Sequence, residues 1–199
     1  MSLSNLSKIL MSFLSILLIV PTLFIPAIAN NSSNTENIVS NQITGNFDMS
    51  DSVFYWPVPG YTRISSYYGY RNIPTTGATS FHQGIDIPAP AGTNLVAPFS
   101  SKVTYIGFMG SGGYTIILKN NSLQFTFHHV SPKYIIKIGQ TVYSGQIIGQ
   151  IGPKNVYGVP NNPYKDNSGK PTNGATTGSH LHFTIKKDGK AVNPLNYYS

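Results

Sequence analysis

Residues 180–189 read His180-Leu181-His182-Phe183-Thr184-Ile185-Lys186-Lys187-Asp188-Gly189. Polar and apolar residues alternate from His180 to Ile185, the period of a strand with one buried face. Leu181, Phe183 and Ile185 point toward a core. His180, His182 and Thr184 stand on the opposite face, with the two histidine Cα atoms roughly 6.6 Å apart. Asp188-Gly189 is a hairpin turn signal. Working outward, short runs rich in Val, Ile, Thr, Tyr and Phe recur at 63–68, 94–98, 102–108, 114–119, 123–130, 141–143 and 147–151. These residue types suit a pleated, half-buried surface. Gly112-Gly113 and Asn120-Asn121 are further turn signals. No long window after Val53 carries a helical period. The pattern predicts an all-β domain with an antiparallel, sandwich-like sheet core.

The chain has 199 residues, with 13 Lys and Arg against 6 Asp and Glu, and no Cys. Without Cys the chain has no disulfide framework, cysteine nucleophile, iron–sulfur cluster or Cys-type zinc finger. Glu36 is the single glutamate, so chemistry that needs paired glutamates is excluded. Residues 1–29 carry Lys8, then an apolar run, then Ala27-Ile28-Ala29, and read as a secretory signal peptide. An uncleaved membrane anchor is the alternative, because about 20 apolar residues can span a bilayer. Residues 30–51 are polar and Asn/Ser-rich and read as a linker or short pro-segment. Such a segment can mask a metal until it is removed. Residues 52–199 form the domain, with formal charge +9 from 12 basic residues and Asp86, Asp166 and Asp188. That balance suits anionic wall polymers, and export argues against nucleic acid. Residues 152–178 are dense in Gly, Pro and Asn and read as a long loop leading into the His180 strand. Within them Asp166-Asn167-Ser168-Gly169 reads as a solvated turn, since it lacks the further acidic ligands of a calcium loop.

The five histidines are the informative residues. In a straight strand His82 and Asp86 would lie roughly 13 Å apart, too far to share an ion. Gly84 between them permits a sharp bend that brings imidazole and carboxylate together. Alternation along 123–130 puts His128 and His129 on opposite faces, so at most one of them joins the site, and periodicity does not choose. His82, Asp86 and one of His180 and His182 make a set of two imidazoles and a carboxylate. Three such ligands with an open position are the pattern of a catalytic zinc site, where a bound water becomes a usable nucleophile near neutral pH. The same set can hold non-haem Fe(II). With no HExxH and no G-x-S-x-G, a glutamate base and a serine hydrolase are the weaker options.

The stretches SSYYGYRNIP, FHQGIDIPAPAGT, HHVSP, KIGQTVYSGQIIGQIG and TGSHLHFTIKKDGKAVNP together resemble the M23, or lysostaphin-type, zinc metallopeptidases. The ordered set H-x-x-x-D, an internal histidine strand and H-x-H carries the resemblance, over roughly residues 52–199. It implies a β-sheet core whose loops form a narrow groove, and one Zn²⁺ held by His82, Asp86 and His182. It also implies catalytic roles for His129 and His180 in hydrolysing peptide bonds of peptidoglycan stems or cross-bridges. Two departures stand out: Phe127 occupies a place where the family often has Tyr, and 152–178 is longer than in many members. The expected protein is thus a secreted zinc metalloendopeptidase of the cell wall, with peptidoglycan peptides as substrate. A membrane partner is expected only if the signal segment stays attached. Arg71 is expected to make a substrate or loop contact and no more. The rival readings are a non-catalytic wall-binding module of the same fold, which ligand loss would mark, and an extracytoplasmic metal carrier.

Overall fold

In the computed structural model, residues 54–198 are described. The readings of 1–29 as a signal peptide and of 30–51 as a linker, masking or otherwise, lie outside the described residues. Among the described residues eleven strands form: Gly69–Tyr70 (β1), Phe81–His82 (β2), Ile85–Pro88 (β3), Asn94–Val96 (β4), Ser101–Phe108 (β5), Tyr114–Asn120 (β6), Leu123–His128 (β7), Thr141–Val142 (β8), Ile147–Gln150 (β9), His180–Lys187 (β10) and Lys190–Val192 (β11). All strand pairs are antiparallel.

The main sheet is seven-stranded, in the order β11-β10-β7-β6-β5-β8, with β3 on the free edge of the first half of β10. Leu181, Phe183 and Ile185 are fully buried, as the alternation of β10 predicts. They meet Phe125 and Phe127 of β7 and Ile116 and Leu118 of β6 on one face. The β4–β9 ribbon brings Leu95 and Ile148 into the same core, which makes the second layer of a sandwich. Each such side chain contributes about 1.5–3 kcal/mol by leaving water. Phe127 packs against Phe183 with ring centroids 5.2 Å apart, on the core face. Its lack of a hydroxyl therefore takes nothing from the opposite face.

The other face of the main sheet is open and polar, as antiparallel sheets allow. The three predicted turns connect β5–β6, β6–β7 and β10–β11. The run at 63–68 departs from expectation. It forms no strand, and only Ser66 bridges to Asp86, because its serines offer no continuous apolar face. The short β3 escapes sequence reading because its single apolar pair, Ile85 and Ile87, runs straight into Pro88 and Pro90, and proline is tolerated here at a sheet edge.

The 152–178 loop lacks named strands, yet it is not structureless. Isolated bridges join Asn155 to Thr172 and Lys165 to Pro171. The Asp166 carboxylate accepts from Ser168 N, Ser168 Oγ, Lys170 N and Asn155 Nδ2, and Lys154 Nζ lies 3.6 Å away. Those bonds, Asn155's first, hold its carboxyl well below the usual range. The predicted turn is a cross-brace of the loop.

Candidate metal centre and groove

The open face of the sheet brings three polar residues into one row. His182 on β10 faces Asp86 on β3 and His128 on β7 as direct cross-strand neighbours. Directly opposed residues point to the same side of a sheet, so strand register alone assembles this row. His82 joins through the bend between β2 and β3. A Cβ on Gly84 would collide with the Phe183 carbonyl oxygen and Thr184 Oγ1. Glycine is required there by this close approach to β10 as much as by the bend.

Three donor atoms converge. His182 Nδ1 lies 2.8 Å from Asp86 Oδ1 and 2.8 Å from His82 Nε2, and His82 Nε2 lies 3.2 Å from Asp86 Oδ1. A tetrahedral zinc ion with bonds of about 2.0–2.1 Å needs ligand atoms about 3.3 Å apart, so the triangle is close to one face of that tetrahedron. The second nitrogens agree. His82 Nδ1 lies 2.8 Å from the Tyr67 carbonyl, which can only accept, so Nδ1 carries the proton and Nε2 a free lone pair. His182 Nε2 lies 3.2 Å from Thr184 Oγ1, which leaves Nδ1 for the centre. Burial opposes the charge on Asp86, but its close contacts with the His182 and His82 imidazoles outweigh that and hold the carboxyl well below its usual range. Burial pushes His182 down, against the pull of Asp86, toward the neutral ring that a metal requires. One carboxylate among neutral imidazoles is the donor chemistry of a divalent zinc site.

Arg71 does more than expected. Its Nη1 lies 3.0 Å from Asp86 Oδ2 and 2.6 Å from Ser66 Oγ. It thereby leaves Oδ1 for the centre and fixes the carboxylate plane. Sequence reading missed this because the contact joins a turn after β1 to β3 through side chains alone. Such supporting contacts typically carry about 10–100-fold of metal affinity. Arg71→Met is expected to weaken zinc binding within that range in a competition with a chromogenic chelator. An unchanged affinity would reduce the pair to a surface contact.

Both His128 and His129 reach the site, which corrects the expectation that only one would. β7 ends at His128, and His129 takes φ 59°, so alternation stops there. The ring of His129 lies 4.7 Å from that of His180, centroid to centroid, and His128 stacks on His182 at 5.2 Å. His128 Nδ1 bonds to Thr115 Oγ1 at 2.9 Å, and burial pushes its pKa down to about 3. It is a neutral prop for His182. The prop requires Gly112 opposite, because a Cβ there would overlap the His128 ring.

His129 and His180 have their tautomers set by the 152–178 loop. His129 Nδ1 lies 2.6 Å from the Asn173 carbonyl, and His180 Nδ1 lies 2.9 Å from the Gly178 carbonyl. Carbonyls only accept, so each Nε2 carries a lone pair. His180 Nε2 lies 3.6 Å from Asp86 Oδ1, beside the donor triangle. Burial, then the neighbouring histidines, lower the pKa of His129. Asn173 is fully buried, with Oδ1 accepting from Tyr114 N and Nδ2 donating to the Val130 carbonyl. Asn173 therefore locks the loop to β6 and to the end of β7. Its role was not legible, since one Asn among many in the loop carries no pattern.

These groups sit in a groove of about 730 Å³ between the 71–79 segment, the Met109–Gly112 turn and the sheet. His82, Asp86, His128, His129, His180 and His182 all line it.

Residues 80–194, more than half the chain, match Peptidase family M23. The chain belongs to that family. As an M23 chain it is 29% identical to the peptidoglycan DD-endopeptidase ShyA of Vibrio cholerae, over 70% of this chain and 28% of ShyA. It resembles a zinc-containing peptidase from Vibrio cholerae with TM-score 0.56 at 26% identity, covering 71% of this chain and 39% of that one. The catalytic domain of the antimicrobial peptidase lysostaphin from Staphylococcus simulans aligns with TM-score 0.54 at 27% identity, over 70% of this chain and 93% of that domain. The chain spans about a quarter of the length of the curated relatives it matches first.

Proposed function

We propose that this M23 chain is a zinc metalloendopeptidase that hydrolyses peptide bonds in peptidoglycan stems or cross-bridges, outside the cytoplasm. The observation that carries the reading is the pairing of a three-donor cluster with two lone-pair-bearing imidazoles in one open groove. His82, Asp86 and His182 would hold the ion. When bound, zinc polarises a scissile carbonyl and lowers the pKa of a water ligand to about 7.

The chain's own residues supply the rest. His129 and His180 present Nε2 lone pairs beside the centre and accept the proton that an attacking water gives up. Once protonated, either ring donates to the developing oxyanion or returns the proton to the leaving amine. The Asn173 and Gly178 carbonyls hold the opposite N–H of each ring, so neither imidazole turns away. Among the described residues no helix is long and apolar enough to cross a membrane. The name of ShyA favours a peptidoglycan substrate, and the lysostaphin domain is likewise a peptidase. The net positive charge of residues 52–199 supports a further hold on anionic wall polymers, weakening as salt rises. Every ligand position is filled, which counts against the non-catalytic module.

The test is incubation of the zinc-loaded protein with purified peptidoglycan. New amino groups should appear, vanish with chelator, and return with added zinc. Intact peptidoglycan under all three conditions would refute the assignment.

A further inference from the structure

Beyond the metal row, the open face of the sheet carries a second row that the chemistry does not use. Cross-strand register places Lys102 opposite Lys119, Lys119 opposite Gln124, and Gln124 opposite Lys186. All four point to the side of His182, Thr184 and the groove, because opposed residues share a face. Lys186 lies four residues along β10 from His182, about 13 Å down the strand. Lys186 and Gln124 line the groove that holds the metal centre, and Lys119 and Gln124 line a smaller hollow next to it. Between the rows lie Thr126, Thr184 and Ile117, so the floor is continuous and bears no charge.

Two lysines set directly opposite each other are destabilising. Among the described residues none of the three has a carboxylate within ion-pair distance. Asp86 is taken by Arg71 and the histidines, and Asp166 pairs with Lys154; Asp188 lines the smaller hollow with Lys119 and Gln124, outside ion-pair distance and away from Lys186 and the groove. Lys186 is only partly exposed, so its charge meets less solvent screening than a free surface lysine. A half-buried groove lysine with no counter-charge, next to an opposed pair of exposed lysines just outside the groove, is suited to an anion that arrives with the substrate.

We propose that Lys186, with Gln124 and Lys119 beside it, forms a subsite for a free carboxylate of the peptide being cut. This rests on the peptidase reading above. An extended peptide advances about 3.3 Å per residue and a lysine side chain reaches back toward the centre, which puts the carboxylate about two to four residues from the scissile bond. Peptides that carry the carboxylate are preferred over peptides in which it is an amide, through tighter binding. Gln124 Nε2 donates one N–H to Thr126 Oγ1 at 3.2 Å and has its second for the same oxygen pair, and Lys119 adds charge from the next strand.

The experiment compares a cross-linked muropeptide dimer with the same dimer converted to its carboxamides. The zinc-loaded full chain is used, with Kd from titration in the cold and kcat/KM from hydrolysis. The wild type should bind the acid form about tenfold more tightly, the size expected of one charged hydrogen-bonded pair. That ratio should fall toward one in Lys186→Gln and persist in Lys186→Arg. It should shrink as salt is raised. A ratio near one in the wild type, or one that Lys186→Gln leaves intact, overturns the subsite. Because Kd is read separately, the ratio decides the matter even if neither dimer is hydrolysed, an outcome that would count against the peptidase reading instead. Lysine-dependent binding of an anionic wall polymer, with no acid-over-amide difference, would assign the row to that polymer and also overturn the proposal.

Discussion

His182→Ala is expected to leave a folded domain that no longer retains zinc and no longer releases amino groups from peptidoglycan. His182 Nδ1 is the apex that lies 2.8 Å from both other donors, so its removal opens the triangle rather than lengthening one edge. Structural zinc binding is worth about 10–16 kcal/mol shared over its ligands, so losing one of them costs on the order of a thousandfold in affinity. The core does not depend on this ring, because Leu181 and Phe183 pack on the opposite face of β10. The check is a zinc competition titration beside thermal unfolding of the metal-free protein. Retained stoichiometric zinc at wild-type affinity would remove His182 from the ligand set.

His129→Ala should separate metal from turnover. Its ring is bonded to the Asn173 carbonyl and lies beside His180, and it is not a member of the donor triangle. Zinc affinity should therefore stay near the wild-type value while kcat falls by about 10²–10⁴, the usual share of one positioned proton acceptor. His180→Ala should behave in the same way. The double variant should cost much less than the product of the single losses, since groups that act as a unit are not additive. Full turnover in His129→Ala would transfer proton handling to His180 alone.

Much of this centre is legible in the sequence. Alternation along β10 separates the histidine face from the core face, and one glycine between His82 and Asp86 marks the bend that joins them. The resemblance to M23 then assigns roles that periodicity leaves open between His180 and His182, and between His128 and His129. What stays hidden follows from local backbone geometry. A single left-handed residue at His129 brings two sequence neighbours to one side of the sheet, and no residue-type pattern announces it. The holds on the rings of His82, His129 and His180 are backbone carbonyls, which every residue possesses. Arg71 and Asn173 act through contacts 15 and 44 residues distant in the chain. The short strands at β1, β2, β3 and β11 are held by their neighbours rather than by their own composition, so propensity did not reveal them. The lysine row required the register of four strands at once.

The whole account depends on one ion being shared by His82, Asp86 and His182. Anomalous diffraction at the zinc absorption edge, from crystals of the zinc-loaded protein, tests this most directly. One peak is predicted, bonded at about 2.0–2.2 Å to His82 Nε2, Asp86 Oδ1 and His182 Nδ1. A fully loaded crystal with its peak elsewhere, or with any of these three atoms outside bonding range, would contradict it.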